Sequence, residues 1–324
     1  MTSIRIEEDD AGVRLDRFLR KRLKLRTLSQ IYRMIRQGDV RVNGKKAKEN
    51  SRLALGDLVE MAVDKPELTA SQGGSDAHLV DLAQTEYFRK NFRVLYEDDV
   101  LLACNKPPHL VVHSGTGHEG ADTMIDLAKS YLLTSGTASS GEPALVHRID
   151  RDTSGVVLIA KNRTALRTLH ESFRERDVQK HYLAVCHGTP PHHSGTISAP
   201  IERTYGRNDG TKMQVGDEGL DAESSYEVLR AHGGLSKLSV DLHTGRTHQI
   251  RVHLEHAGCP IVGDVRYGDP TRDEALFARR SVARRLYLHA HTIRVPHPLL
   301  KRTITITAPE PREFGTVMES GERH

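Results

Sequence analysis

The sequence predicts an α+β protein. A large, mixed, mainly antiparallel sheet with helices packed against it follows a small basic α+β module. Three observations carry this prediction. Strand-like runs outnumber helical ones from Phe92 onward, several of those runs are joined by hairpin-length turns, and the excess positive charge is confined to one short N-terminal stretch. Between Arg14 and Arg52 stand 14 Lys and Arg residues with almost no acidic partners (three acids), whereas the remaining chain holds 33 basic and 40 acidic residues. Such segregation marks a polyanion-binding module joined to a domain with a different task.

The 324 residues suffice for two domains, and 37% apolar with 28% charged residues is a globular composition. No apolar run approaches the roughly 20 residues that a membrane-spanning helix needs, so no membrane partner is expected. The opening "MTSIRIEEDD" lacks the apolar core of a signal peptide, and the chain reads as cytoplasmic. Cys104, Cys186 and Cys259 are widely separated and set among apolar or small residues. They read as buried thiols, not as a disulfide frame or zinc site.

In chain order, "VRLDRFLRKRLKL" (Val13 to Leu25) places Leu15, Phe18, Leu19 and Leu23 at helical spacing beneath a basic face. A second helix starts after Thr27 or Ser29, either of which can cap it, buries Ile31, Met34 and Ile35, and stops at Gly38. "DVRVNGKKAK" then alternates into Asn43-Gly44, the strongest short hairpin signal. This module is assigned residues 1–64. A polar linker follows over 65–89, with a short amphipathic piece at Leu79 to Leu82. The large domain is assigned residues 90–315.

There, "RVLYE" and "VLLACNKP" flank a hairpin at Asp98-Asp99. Leu145 to His147 ends a strand, and "VVLIA" (156 to 160) is a wholly apolar strand. Asn162 caps a helix to about Arg176 with Leu166, Leu169 and Phe173 inward. "KHYLAVC" reads as a strand, and "SYEVLRA" with "SKLSVDLHTG" forms a hairpin about Gly233-Gly234. A last helix runs from Thr247 to Gly258, ahead of Pro260, with Ile250, Leu254 and Ala257 on its apolar stripe.

Between two of these strands lies "HRIDRDTSG", His147 to Gly155, five charged or ionisable residues against an apolar run. Charge set so close to a buried strand has a solvation cost, which either a structural ion network or a site must offset. Thr153 and Ser154 can bond backbone groups and stiffen the loop, while Gly155 permits a tight return. Asp150 between Arg148 and Arg151 is expected to stay ionised, suited to act as nucleophile or base and not as a general acid. Asp152 reads as bonding the turn backbone. A Ser–His–Asp hydrolase would need a Gly-x-Ser-x-Gly elbow, whose first Gly is missing here. His192-His193, His289/His291 and His243/His248 pair without a carboxylate or cysteine at ligand spacing, so no metal is expected. No Gly-rich phosphate loop is present.

"HRIDRDTSGVVLIAKN" resembles the signature of the RluA family of RNA pseudouridine synthases, H-R-L-D-x-x-T-S-G, with Ile149 in place of Leu. The resemblance continues through "LYEDDVLLACNKPPHLVVH", "VQKHYLAV", "GRTHQIRVHLEHAGCPIVGDVRYG" and "LYLHAHTI", covering about 90 to 310. The N-terminal pattern, with Arg14-Leu15-Asp16, Gly38-Asp39-Val40 and Val42-Asn43-Gly44, resembles the S4-like RNA-binding domain. Together they imply a ribosomal-RNA-modifying isomerase of the RluC type that detaches uracil, rotates it and rejoins it through carbon. No cofactor or metal would be needed. The implied catalytic residues are Asp150, Tyr182 and Arg251, the arginine pairing with the carboxylate. On the residues alone Tyr182 is a core tyrosine of a strand. Arg251 lies with His248 and Glu255, off the apolar helix stripe. The resemblance sets His147, Arg148, Thr153 and Lys180 about the substrate, with Leu288 as an apolar floor. Arg14, Arg17, Arg33, Arg36, Lys45 and Lys46 are expected to meet RNA. The implied partner is 23S ribosomal RNA or its precursor, met by a monomer. Another structured RNA such as tRNA, or a binding-only role in ribosome assembly, remains the alternative.

Overall fold

The computed structural model describes residues 2–7, 10–23, 28–63, 77–113, 122–137, 141–204, 212–279 and 282–319. The N-terminal module holds β1 (Thr2–Arg5), α1 (Leu15–Arg22), α2 (Leu28–Gln37), β2 (Val40–Val42), β3 (Lys45–Lys46) and β4 (Leu58–Met61). Its antiparallel sheet has the order β1-β4-β2-β3. Leu15, Phe18, Leu19 and Leu23 of the first helical segment pack on Ile31, Met34 and Ile35 of the second, over Val40, Val59 and Met61. Asn43 (φ 52°) and Gly44 (φ 75°) both take the left-handed conformation that a two-residue hairpin turn requires.

Three details depart from the sequence reading. Strands β1 and β4 were not anticipated, because four-residue segments are too short to show a period. Ser29 lies inside α2 and so does not cap it, and Thr27 falls outside the described residues. The basic face also has acidic partners: Asp16 accepts from Arg14 Nη2 at 2.7 Å, and Asp10 from Arg22 Nη2 at 2.9 Å. Asp10 precedes the counted window and Asp16 lies within it, and both are buried, so these pairs brace the helices.

Residues 77–84 are helical, and α3 (Glu86–Asn91) follows, capped by Thr85 Oγ1 accepting from Phe88 N at 3.0 Å. Leu79, Leu82 and Phe92 reach the large core, so this part of the polar stretch is anchored by its few apolar residues. Residues 65–76 of the expected linker lie outside the described residues.

The large sheet begins with β5 (Val94–Glu97) and β6 (Leu101–Lys106). After α4 (Met124–Ser135) come β7 (Ala144–Leu145), β8 (Ser154–Ala160), α5 (Arg163–Arg174) and β9 (Gln179–His187). Strands β10 (Ser194–Ser198), β11 (Ile201–Thr204), β12 (Lys212–Val215), β13 (Glu223–His232) and β14 (Leu235–Leu242) precede α6 (Gln249–His256) and α7 (Pro270–Phe277). The chain closes with β15 (Leu288–Pro296), β16 (Thr303–Thr307) and α8 (Arg312–Glu319). Sheet order is β10-β13-β14-β9-β15-β8-β6-β5, with β16 on β15 and β7 on β8. Among the described strands only β15 and β8 run parallel, so the sheet is mixed and mainly antiparallel. No described helix is long and apolar enough to cross a membrane.

The apolar run of β8 follows from its position. Val156, Leu158 and Ala160 face the core under α5, while Val157 and Ile159 face the core under α4. A strand covered on both faces has no polar side to show. Gly155 (φ 116°) has a reason beyond the expected tight return: a Cβ there would lie 2.7 Å from Ala290 N and closer still to its carbonyl. The close crossing of β15 requires glycine. The three cysteines are free and buried.

Candidate active site

The Asp150 loop hangs between β7 and β8 and is secured from beneath at three places. Val146 N donates to Leu158 O at 3.0 Å, and Leu158 N donates back to His147 Nε2 at 3.1 Å. The imidazole therefore carries its proton on Nδ1 and stacks on Phe173, centroids 5.4 Å apart. One ring nitrogen of His147 is thus committed to the strand, while the residue also lines the two cavities that meet at Asp150. Ser154 forms the second anchor. Its hydroxyl accepts from Arg285 Nη2 at 2.6 Å and donates to His289 Nδ1 at 2.9 Å. It thus bonds side chains, where backbone bonds were expected. Asp152 likewise bonds the Arg151 and His109 side chains in place of the turn backbone.

Lys106, fully buried at the end of β6, is the third anchor. Its Nζ donates to the carbonyls of Arg151, Pro107 and Leu110 at 2.7, 2.8 and 2.9 Å. Burial pulls the ammonium down to about 7, opposed by Asp152 and Asp150. Three carbonyls match the three donors of the ammonium, and one side chain ties the Asp150 loop to the loop after β6.

Two of these anchors predict a pH response. Burial lowers His147 and His289 from 6.5 to about 4. Between those values the unfolded chain binds more protons than the folded one, so stability is lost as pH falls from 6.5 towards 4. Each histidine contributes on the order of 3 kcal/mol across that window. Urea unfolding of wild type and His289→Asn at several pH values checks this: the variant's acid-side decline should be shallower, and parallel profiles would refute the assignment.

Across the loop, Arg251 on α6 donates from Nη1 to Asp150 Oδ2 at 2.9 Å. Its Nε and Nη2 grip Asp264 at 2.7 and 2.8 Å, a bidentate pair around a carboxylate with no solvent exposure. Asp264 Oδ1 also accepts from Arg266 N and Tyr267 N, and the guanidinium lies over the Tyr267 ring at 5.0 Å. Burial opposes the charge on Arg251, but the Asp264 and Asp150 carboxylates raise its pKa above the ordinary arginine value. Asp150 itself is 28% exposed, and its Oδ1 takes no hydrogen bond from a described residue.

The carboxylate stands where two cavities meet. The larger, about 900 Å³, is lined by the 145–152 loop with His113, Val265 and Arg266. The smaller, about 290 Å³, is walled by Thr153, Lys180, Tyr182, Gln249 and Leu288. Burial and the nearby Asp150 carboxylate push the Tyr182 hydroxyl up, and burial draws the Lys180 ammonium down. In the register of β9 and β15 Tyr182 pairs with Ala290 and Leu288 with Ala184, which sets Tyr182 and Leu288 diagonally on one face of the sheet. Every residue expected about the substrate thus lines this junction, with Arg148 at the exposed rim.

Arg14, Arg17, Arg33, Arg36, Lys45 and Lys46 lie on the separate N-terminal module, all exposed except half-buried Arg14. Arg17 lines a further cavity of about 520 Å³ that shares His113 and Leu145 with the 900 Å³ cavity. Sequence reasoning assigned no role to Asp264, Lys106 or Tyr267. Only the stretch "NKP", a lysine ending an apolar strand, offered a signal.

Helix α6 starts later than expected because Gln249 Oε1 accepts from Thr244 Oγ1 and Arg246 N, closing the turn before it. His248 therefore precedes the helix in a left-handed conformation, φ 58°.

Comparison with known proteins fits this arrangement. Residues 100–256 match the RNA pseudouridylate synthase model, and 13–59 match the S4 domain. Ribosomal large subunit pseudouridine synthase C of Haemophilus ducreyi is 37% identical over 313 residues, covering 97% of this chain and 93% of the relative. The chain belongs to the RNA pseudouridylate synthase family. It is an RNA pseudouridine synthase, an isomerase, with an S4 domain at its N-terminus. The pseudouridine synthase C of Escherichia coli K12 is also 37% identical, covering 94% of this synthase and 92% of its own length. Among solved structures, human RNA Pseudouridylate Synthase Domain Containing 4 superposes with a TM-score of 0.57 at 25% identity, over 77% of this synthase and 97% of that chain. Human RNA Pseudouridylate Synthase Domain Containing 1 gives 0.54 at 27% identity, over 68% and 84%.

Proposed function

We propose that this synthase converts uridines of 23S ribosomal RNA to pseudouridine, with Asp150 acting on a uridine flipped out of its stack. The observation that carries this is the Asp150–Arg251–Asp264 chain at the junction of the two cavities. One carboxylate oxygen is held by the guanidinium, and the other takes no hydrogen bond from a described residue. The large-subunit RNA is favoured because the named relatives are ribosomal large subunit synthases.

In this reading the uracil enters the smaller cavity between Tyr182 and Leu288, and its flanking strand lies in the larger one. Asp150 Oδ1 attacks the sugar or base, or removes a ribose proton; the C1′–N1 bond breaks, and the base rejoins C1′ through C5. Tyr182 stacks on the ring and assists loss of the C5 proton. Arg251 holds Asp150 in position, and Asp264 holds Arg251. Extruding the base costs a few kcal/mol, which contacts to flanking RNA offset. The S4 domain, taken as residues 1–64, supplies such contacts, and its Arg17 lies on a cavity that meets the active-site cavity.

Tritium release from C5-labelled uridine tests the substrate. Release from 23S RNA but not from tRNA supports this reading, and release from tRNA alone replaces it with the tRNA alternative. The S4 contribution has its own signature. Neutralising exposed Arg33 and Arg36 together (Arg33→Gln, Arg36→Gln) should lessen the slope of log affinity against log salt by about 1.5, since each phosphate contact contributes about 0.7 to 0.9. An unchanged slope removes these two residues from the interface.

A further inference from the structure

His248 lines both cavities, and the chemistry above gives it no task. Its neighbours fix which way its hydrogen bonds run. The Tyr267 hydroxyl accepts from Met213 N at 2.9 Å. Among the described residues, the acceptor within reach of its own proton is His248 Nδ1, 2.8 Å away. Nδ1 is thus an acceptor, and a neutral ring then carries its proton on Nε2. That nitrogen faces the site, 3.9 Å from Asp150 Oδ2, too far for a hydrogen bond to it. The N–H therefore lies beside the carboxylate, on a residue that lines both cavities.

Two further observations agree. The side chain is only 15% exposed, and burial lowers its pKa against the pull of Asp150, with Arg251 and Arg266 lowering it further and Asp264 opposing them. The ring therefore stays a neutral donor at neutral pH. The left-handed backbone at His248 is costly for a residue other than Gly, Asn or Asp, and strain of this kind concentrates at functional sites.

We propose that His248 is a further catalytic residue, donating Nε2–H to a carbonyl oxygen of the uracil ring as the base leaves C1′. When the C1′–N1 bond breaks, its electron pair passes into the ring and onto the carbonyl oxygens. A donor already oriented by its bond to Tyr267 stabilises that charge. No proton is transferred in this step, and the bond relaxes when the ring rejoins through C5. The proposal rests on the uridine reading of Asp150.

The test pairs two substitutions. His248→Asn tolerates the left-handed backbone and sets Oδ1 near Nδ1 to accept from Tyr267, but has nothing at Nε2. His248→Gln sets an amide N–H near Nε2. Single-turnover tritium release at saturating 23S RNA should fall about 10²-fold in the Asn variant and recover to within about tenfold of wild type in the Gln variant. RNA affinity should be unchanged in both. A wild-type rate for the Asn variant overturns the proposal, as does an equal loss in both variants. Weakened RNA binding with a normal saturated rate also overturns it. If wild type itself releases nothing from any RNA that it binds, the uridine reading fails and His248 with it.

Discussion

Asp150→Asn is expected to lower tritium release from 23S RNA by at least about 10⁴-fold while leaving RNA affinity within a few-fold of wild type. The size follows from the role: removing the group that attacks leaves only the catalysis that binding and electrostatics supply. Asparagine matches the carboxylate in shape, so the loop should persist. Arg251 keeps its bidentate bond to Asp264, and the lost charge was partly solvated. The thermal midpoint should therefore move by only a few degrees, which separates chemistry from folding. Release undiminished in Asp150→Asn would reassign the reaction to another group. An equal collapse of melting temperature and activity would make Asp150 a structural member of the network.

The loop that carries Asp150 was legible because it breaks two local rules at once. Five ionisable residues crowd against a strand with no polar side, and the β8 run shows why that strand is polar nowhere: it is covered on both faces. The hairpin at Asn43-Gly44 and the cap at Asn162 were legible for the same reason, since their chemistry is local. What holds the loop was not. Asp150 and Arg251 are 101 residues apart, and their pairing was expected from a family resemblance, not from spacing. Lys106 meets Arg151 across 45 residues, and Ser154 meets Arg285 across 131. Period and propensity report only on near neighbours along the chain. Gly155 shows the gap well: its turn was foreseen, but the strand crossing that forbids a Cβ belongs to residue 290.

Asp264, which the sequence did not flag, carries the second large expectation. Asp264→Asn should lower stability by about 3 kcal/mol, the cost of removing one partner of a buried pair. It should also slow single-turnover isomerisation about 10²-fold at temperatures where the protein remains folded, because a displaced positioning group misaligns the reacting atoms. The amide would keep an acceptor for Arg266 N and Tyr267 N but turn an N–H towards Arg251 Nε, donor against donor. Arg251 would keep its Nη2 bond to the amide oxygen but lose the charge of Asp264, and so would draw on the Asp150 carboxylate more strongly and shift it. A lower melting temperature with an unaltered saturated rate would confine Asp264 to folding. The pair of variants gives a sharper check, because both carboxylates share one cation. Either single variant leaves Arg251 with an anion, whereas Asp150→Asn combined with Asp264→Asn leaves a buried guanidinium with neither. The double variant should therefore lose more stability than the sum of the singles, by about 1 to 3 kcal/mol. Strict additivity would mean that Arg251 does not couple the two.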